Sequence, residues 1–229
     1  MITKLFKIAV VCILILTTSF FSFSQKEENL DIQPLSNYLI KTNFRLPFTR
    51  SNEFLKNVSN GVVDLQGSFN YSFIKNVYVG LGYRYAYFKL SERELNSAVQ
   101  NQLKGKIEQK GVYGELSYFY DVYENFSIEA NFQVGMENTI GNSVICIANG
   151  SRTSKKGIFY APNLNFYLKT EEVFSFFFSV GYNFSNTNFT PETVCVESFT
   201  NFIQEDYQGN YRHLNVGFGI GISLIKPRP

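Results

Sequence analysis

Nine charged side chains sit in stretches where the neighbouring residues are apolar or small: Lys41, Arg45, Asp64, Arg84, Glu115, Asp121, Glu129, Glu137 and Lys169. Four cations and five anions held inside one fold have a few chemical uses. Two carboxylates brought together can divide general-acid and general-base work, and Glu115 and Glu129 are candidates because one tight turn separates their segments. A row of ionisable groups can also carry protons or ions. The plainer outcome is mutual neutralisation, since an ion out of water without a partner is costly. The near balance of signs favours that outcome, a self-neutralising network that specifies register.

His213 is the single histidine. A Ser–His–acid arrangement needs a nucleophile within hydrogen-bond reach of the base. The local run is His213-Leu214-Asn215 and holds no serine, and Ser185 is a partner only if folding brings it close. A structural histidine is therefore expected. Of the three cysteines, Cys12 lies in the leader described below, which leaves Cys146 and Cys195 as an even pair and a candidate disulfide. There is no GxGxxG, P-loop, CxxC pair, HExxH or EF-hand loop. Neither a cofactor nor a dedicated metal is expected.

The elements that carry these residues share one pattern. From Leu214 to Leu224 the chain reads Leu-Asn-Val-Gly-Phe-Gly-Ile-Gly-Ile-Ser-Leu, strict alternation of apolar with small or polar residues. Successive side chains of a strand point to opposite faces, so one face is hydrocarbon and the other nearly bare. Seven earlier stretches repeat the comb: Asn37–Leu46, Val63–Phe73, Val77–Tyr87, Val112–Val122, Phe126–Met136, Ile158–Leu168 and Phe174–Phe184. Each has about the length that a tilted strand needs to cross a bilayer. Pro162 interrupts the sixth, where a bulge or local break is expected.

Alternation alone does not say which face is inside. The apolar parity is crowded with Phe and Tyr and carries no charge, and an eight-stranded barrel has room inside only for modest side chains or one small ligand. That face must be the exterior. The polar parity, rich in Gly, Ser and Asn and notably Gly217, Gly219 and Gly221, suits a crowded bore. The expected fold is all-β: an eight-stranded antiparallel transmembrane β-barrel, an up-and-down meander. Tight connections at 75–76, 123–125 and 170–173 alternate with long ones at 47–62, 88–111, 137–157 and 185–213, as in outer-membrane barrels. The short turns and both termini then face the periplasm. Tyr38, Tyr71, Tyr118 and Phe174 fall at that rim, and Phe44, Tyr83, Tyr85, Tyr87, Tyr160 and Tyr182 at the other, as aromatic girdles should.

Lys4 and Lys7 before the apolar run Ile8–Leu16, with small residues near Ser22 and Ser24, describe a signal peptide over 1–24. A short periplasmic segment, 25–34, and the barrel, 35–229, complete the expected domain order. Lys4 and Lys7 are two of 21 basic residues against 19 acidic ones, so the mature chain is formally neutral. A nucleic-acid partner, which needs a concentrated basic surface, is not expected. In the second long connection, Ser91-Glu92-Arg93-Glu94 followed by Leu95, Val99, Leu103 and Ile107 fits a capped amphipathic helix. The alternative is that the flanking strands continue upward to a flexible tip.

On the leader, the eight combs and the short-turn, long-loop rhythm over 35–226, the chain resembles the small outer-membrane β-barrel family of Gram-negative bacteria, of the OmpX and OmpA-barrel size. That resemblance implies a cell-outer-membrane location and contact with membrane lipid and lipopolysaccharide. It also implies insertion by the barrel-assembly machinery and a structural or surface-interaction role through the long loops, which could meet an extracellular or cell-surface ligand. A narrow channel or transport barrel, or a secretion-associated one, is the alternative. A lipid A-modifying enzyme centred on His213 is a more remote one, and no enzymatic activity is expected. The last comb ends at Leu224 and is followed by Ile225-Lys226-Pro227-Arg228-Pro229, where such barrels usually end on an aromatic residue.

Overall fold

A computed structural model describes residues 37–51, 53–93, 104–148, 153–170, 173–196 and 209–224. The leader at 1–24 and the segment 25–34 lie outside the described residues. The strands are β1 (Tyr38–Thr49), β2 (Ser59–Ile74), β3 (Val77–Leu90), β4 (Gly105–Tyr123), β5 (Phe126–Ser143), β6 (Thr153–Lys169), β7 (Phe174–Phe189) and β8 (Gly209–Ser223). Each pairs antiparallel with the next, and β8 returns to β1 from Leu39↔Ser223 to Thr49↔His213, closing the barrel. Closure pairs every strand on both edges, so the sheet offers hydrocarbon no open edge.

The alternation expected from the sequence sets the two faces. Leu81, Met136 and Phe218 are 75%, 71% and 65% exposed, while Lys41, Arg45, Asp64 and Arg84 are buried in the bore. A band of exposed Leu, Val, Ile and Phe circles the outside, bounded by tyrosine and phenylalanine at both rims. Neighbouring girdle rings touch across strands: Tyr38 and Tyr71 at 5.2 Å between centroids, Tyr160 and Phe184 at 5.1 Å. Hydrocarbon on this scale on the outside has only lipid to cover it. The barrel is a transmembrane one.

At the short-turn rim, Asn76 turns the β2–β3 hairpin in the left-handed region, φ 66°, which asparagine tolerates. At the other rim the strands run beyond the eleven or so residues that the combs marked. β4 has 19 residues, β5 18 and β6 17. The long connections are correspondingly shorter than the alternation suggested. The reason is a reversal of phase. Above the girdle the inward parity becomes apolar, with Phe88, Leu90, Ile107, Phe189 and Tyr211 all buried, and the outward parity becomes Lys89, Lys106, Glu108, Asn210 and Arg212. Water has replaced lipid outside, so the greasy face turns inward as in a soluble barrel.

The strands decide two readings that the sequence left open. Ile107 is not on a helix. It lies in β4, because β3 and β4 continue upward; residues 94–103 of the expected helix lie outside the described residues. At Pro162 the expected local break is present, and it comes without a bulge. Its strand keeps one register against β7, with Tyr160↔Phe184 on one side of the gap and Asn163↔Gly181 on the other, and between Phe159 and Lys169 the pairs at Ala161 and Pro162 are missing from that ladder. On the β5 side pairing runs through Phe132↔Pro162. The missing proline N–H thus removes a bond without displacing the chain.

Leu81 stands near the middle of the apolar band on β3. Leu81→Arg is expected to lower the unfolding free energy in lipid bilayers by about 2–4 kcal/mol. Lys89→Arg, above the girdle, is expected to leave it unchanged in the same denaturant titration.

Candidate functional site

The bore is built in layers. At the short-turn end Asp121 accepts from Lys169 at 2.8 Å and from Ser127 Oγ at 2.5 Å. Above this pair lies an apolar and aromatic floor of Leu39, Tyr78, Phe119, Tyr167 and Phe177. Its rings stack at 4.7 Å between Tyr167 and Phe177 and meet edge-on at 5.0 Å between Tyr78 and Phe119. Glycines on the neighbouring strands make this filling possible. A Cβ at Gly219 would collide with the Phe177 ring, and one at Gly82 with Tyr113. The small lumen residues read from the sequence are thus the complement of large inward aromatics on the next strand.

Two ion clusters follow. In the lower one Lys41 Nζ lies 3.0 Å from Glu115 and 2.7 Å from Glu129. Asn131 donates to Glu115 at 2.8 Å and Asn165 to Glu129 at 2.7 Å. The two glutamates therefore converge, but on a shared ammonium. Each already spends its charge on a cation and an amide, which is the geometry of neutralisation rather than of a proton-sharing carboxylate pair. In the upper cluster Asp64 lies 3.1 Å from both Arg45 and Arg84, and Arg84 reaches Glu137 at 3.2 Å. Arg45 also donates to Asn163 at 2.7 Å, and the Arg84 guanidinium lies 5.3 Å from the centre of the Phe159 ring. All nine charges named from the sequence face the bore, and every one has an opposite partner. Between the clusters, a cavity of about 20 Å³ beside Lys41, Gln66, Glu115 and Asn163 holds the space of a single water.

His213 sits above the upper cluster, fully buried, with its ring 4.6 Å from Phe88 and 6.0 Å from Tyr211. Neither ring nitrogen has a hydrogen-bond partner among the described residues, and the same holds for the side chains of Asn183 and Asn215 beside it. Ser185 does not reach the imidazole: its hydroxyl pairs with Thr187 at 2.7 Å. The base–nucleophile contact of a serine hydrolase is absent among the described residues.

The long-loop end is roofed by a cluster that the sequence reading missed. Phe54, Leu55 and Val58 of α1 (Glu53–Val58) pack with Phe88, Leu90, Ile107, Phe189, Tyr211 and Val194 into one buried apolar core. Val194 ends a 3₁₀ turn, Pro191–Val194. Cys195, which follows it, is bonded to Cys146 of α2 (Val144–Ala148). Ser143 Oγ donates to the Val194 carbonyl at 2.6 Å and accepts from the Cys146 N–H at 3.1 Å, and Thr153 Oγ1 donates to the Thr193 carbonyl at 3.0 Å. The third and fourth connections are thus joined covalently and by hydrogen bonds over the mouth. A signal for this cap was present in the sequence as the phase reversal at Phe88, Leu90 and Ile107.

No protein-family model matches the chain, and no curated protein is similar to it in sequence. Among solved structures it is similar to Neisserial surface protein A, with a TM-score of 0.53 at 11% identity over 82% of this chain and 98% of that one. Outer membrane protein OprG from Pseudomonas aeruginosa matches at a TM-score of 0.47 and 14% identity, over 84% of this chain and 98% of that one. Ail, the attachment invasion locus protein of Yersinia pestis, matches at 0.42 and 12%, over 81% and 99%.

Two measurements probe the layers. Asp64→Asn leaves Arg45 and Arg84 facing each other without their shared anion and is expected to cost about 3–5 kcal/mol in unfolding, far more than Ser72→Ala at the exposed short-turn end. Cys146→Ser is expected to abolish a mobility difference between reduced and nonreduced gels and to lower stability by about 2–4 kcal/mol, since the bridge closes a 49-residue separation. Closed meander, apolar exterior and filled polar bore together give the chain the fold of the small eight-stranded outer-membrane β-barrels.

Proposed function

We propose that the protein is an integral outer-membrane barrel whose working part is the rigid head on its long-loop side, with a structural or surface-interaction role rather than transport or catalysis. The observation that carries this reading is the double seal of the bore. The apolar cap around Phe54, Phe88 and Val194 closes one end, the aromatic floor around Tyr78 and Tyr167 closes the other, and paired ions fill the space between. A conduit needs a continuous wet path, and neither the paired charges nor a single-water cavity supplies one. The stapled roof, by contrast, holds a fixed outer surface, which recognition of a partner favours because little ordering is needed on binding. The burial of His213, with neither ring nitrogen hydrogen-bonded among the described residues, speaks for a structural imidazole.

In planar bilayers the reconstituted protein is expected to show no conductance above lipid leak. Discrete, reproducible steps would overturn the sealed reading and support the channel alternative. Expression in a Gram-negative host is expected to leave the mass of lipid A unchanged. A mass change that disappears in His213→Ala would overturn the non-enzymatic reading.

A further inference from the structure

The outer surface of the head is not uniform. On β3 to β6, just above the girdle tyrosines, outward-facing lysines stand on adjacent strands. Tyr85 is opposite Lys110, Lys110 opposite Asn138, and Asn138 opposite Lys156; two steps higher on that face, Lys89 is opposite Lys106 and Lys106 opposite Asn142. Lys104 precedes β4 and is exposed. Among the described residues the acids facing this wall are Glu108, paired with Lys106 at 2.7 Å and Lys110 at 3.1 Å, and Glu92, 3.7 Å from Lys104. The hydrogen bond to Lys106 holds the Glu108 carboxyl below its ordinary range, so Glu108 stays ionised. Five lysines against two carboxylates leave the wall positive.

The same wall carries a groove of about 320 Å³ between the tips of β3, β4 and β5, whose lining includes Tyr87, Lys89, Lys104 and Lys106, one carboxylate, Glu92, and the apolar Val144 and Ile147. Val144 and Ile147 are 50% and 68% exposed, an apolar lip projecting from α2, which the Cys146 bridge fastens. The tyrosines extend the site downward: Lys106 Nζ lies 6.0 Å from the centre of the Tyr87 ring and Lys110 Nζ 5.6 Å from that of Tyr85. Four residues separate Tyr85 from Lys89. At about 3.3 Å per residue and the usual tilt, Lys89 stands roughly 10 Å above Tyr85, and the groove, which Tyr87 also lines, opens at the upper edge of the aromatic girdle. That is the depth of charged headgroups, not of bulk solvent.

We propose that this groove binds the phosphorylated sugar headgroup of an outer-leaflet glycolipid of the lipid A type. Lysines offer point charges to phosphate oxygens, tyrosine faces suit sugar rings, and the Val144–Ile147 lip meets the start of an acyl chain. The inference rests on the reading that this end of the barrel points outward. Bound there, the lipid ties the head to the outer leaflet on one side only and so sets the direction in which the opposite wall, β7, β8 and β1, is presented.

The test is native mass spectrometry of the full chain refolded in detergent, titrated with diphosphoryl lipid A, phosphate-free lipid A or phosphatidylglycerol, with inorganic phosphate as competitor. The wild type should retain diphosphoryl lipid A in preference to the other two lipids. Lys89→Gln/Lys104→Gln/Lys106→Gln should weaken that binding by about tenfold or more, and Arg50→Gln/Arg212→Gln on the opposite wall should not. Equal retention by wild type and triple variant overturns the site. Equal retention of phosphate-free lipid A or phosphatidylglycerol overturns the headgroup chemistry, and displacement by equimolar phosphate shows a simple anion site in place of a lipid one. If the triple variant does not give the heat-modifiable band of a folded barrel, Lys89→Gln alone is used, with a smaller loss in the same direction expected and no loss counting against the proposal. Conductance of the same preparation separates the two readings, since a conducting barrel that retains lipid A refutes the seal and keeps the site.

Discussion

Hydrocarbon offers a peptide group nothing to bond with, and the rest of the molecule follows from that. A strand in such surroundings must be paired along both edges, so the sheet has to close on itself. Closure with eight strands fixes a narrow bore, and a narrow bore determines which side chains can point inward. The inward parity is therefore a packing problem solved by pairing a large ring on one strand with a glycine on the next, as Phe177 does with Gly219 and Tyr113 with Gly82. The outward parity has no such constraint except that it be apolar, which is why it accepts rings and branched chains freely.

The same narrowness forces the ions together. A lysine at position 41 inside a dry bore is tolerable only because two carboxylates from β4 and β5 arrive within hydrogen-bond distance of it. Asp64 plays the reciprocal part for two arginines from β1 and β3. The Lys41 contacts, and that of Arg84 on β3 with Glu137 on β5, join strands that are not neighbours in the sheet, so they also pin the shape of the barrel's cross-section. A network of this kind specifies one arrangement while adding little net stability, and each of its charges has an opposite partner among the described residues.

Where the strands leave the lipid the rule inverts. Outside is now water, so Lys89, Lys106 and Glu108 take the outer face and Phe88, Leu90 and Ile107 turn in to meet α1 and the 3₁₀ turn. The protein is in effect two barrels in series sharing the same strands, one with its greasy side out and one with it in. The Cys146–Cys195 bridge joins the connections that roof the second. Rigidity at the head and a one-sided basic wall are both products of that inversion, and both belong to the surface rather than to the bore.

How much of this could be read without coordinates depended on range. Period-two alternation is a local property, so the eight crossings, the inside and outside faces, the inward direction of all nine charges and the tight turn at Asn76 were legible in the chain. Lengths were underestimated because the alternation was followed only while its apolar half faced out; at Phe88-Lys89-Leu90 and Lys106-Ile107-Glu108 it continues with the phase reversed, which helical spacing imitates at Ile107. Which carboxylate meets which cation was beyond reach. Lys41 finds Glu129 across 88 residues only because closure folds β1 and β5 toward a common axis. The failure of Ser185 to meet His213 had the same origin, since the register of β7 against β8 sets Asn183 opposite the histidine. Periodicity sets what faces a bilayer; the circumference of the closed sheet sets what meets inside it.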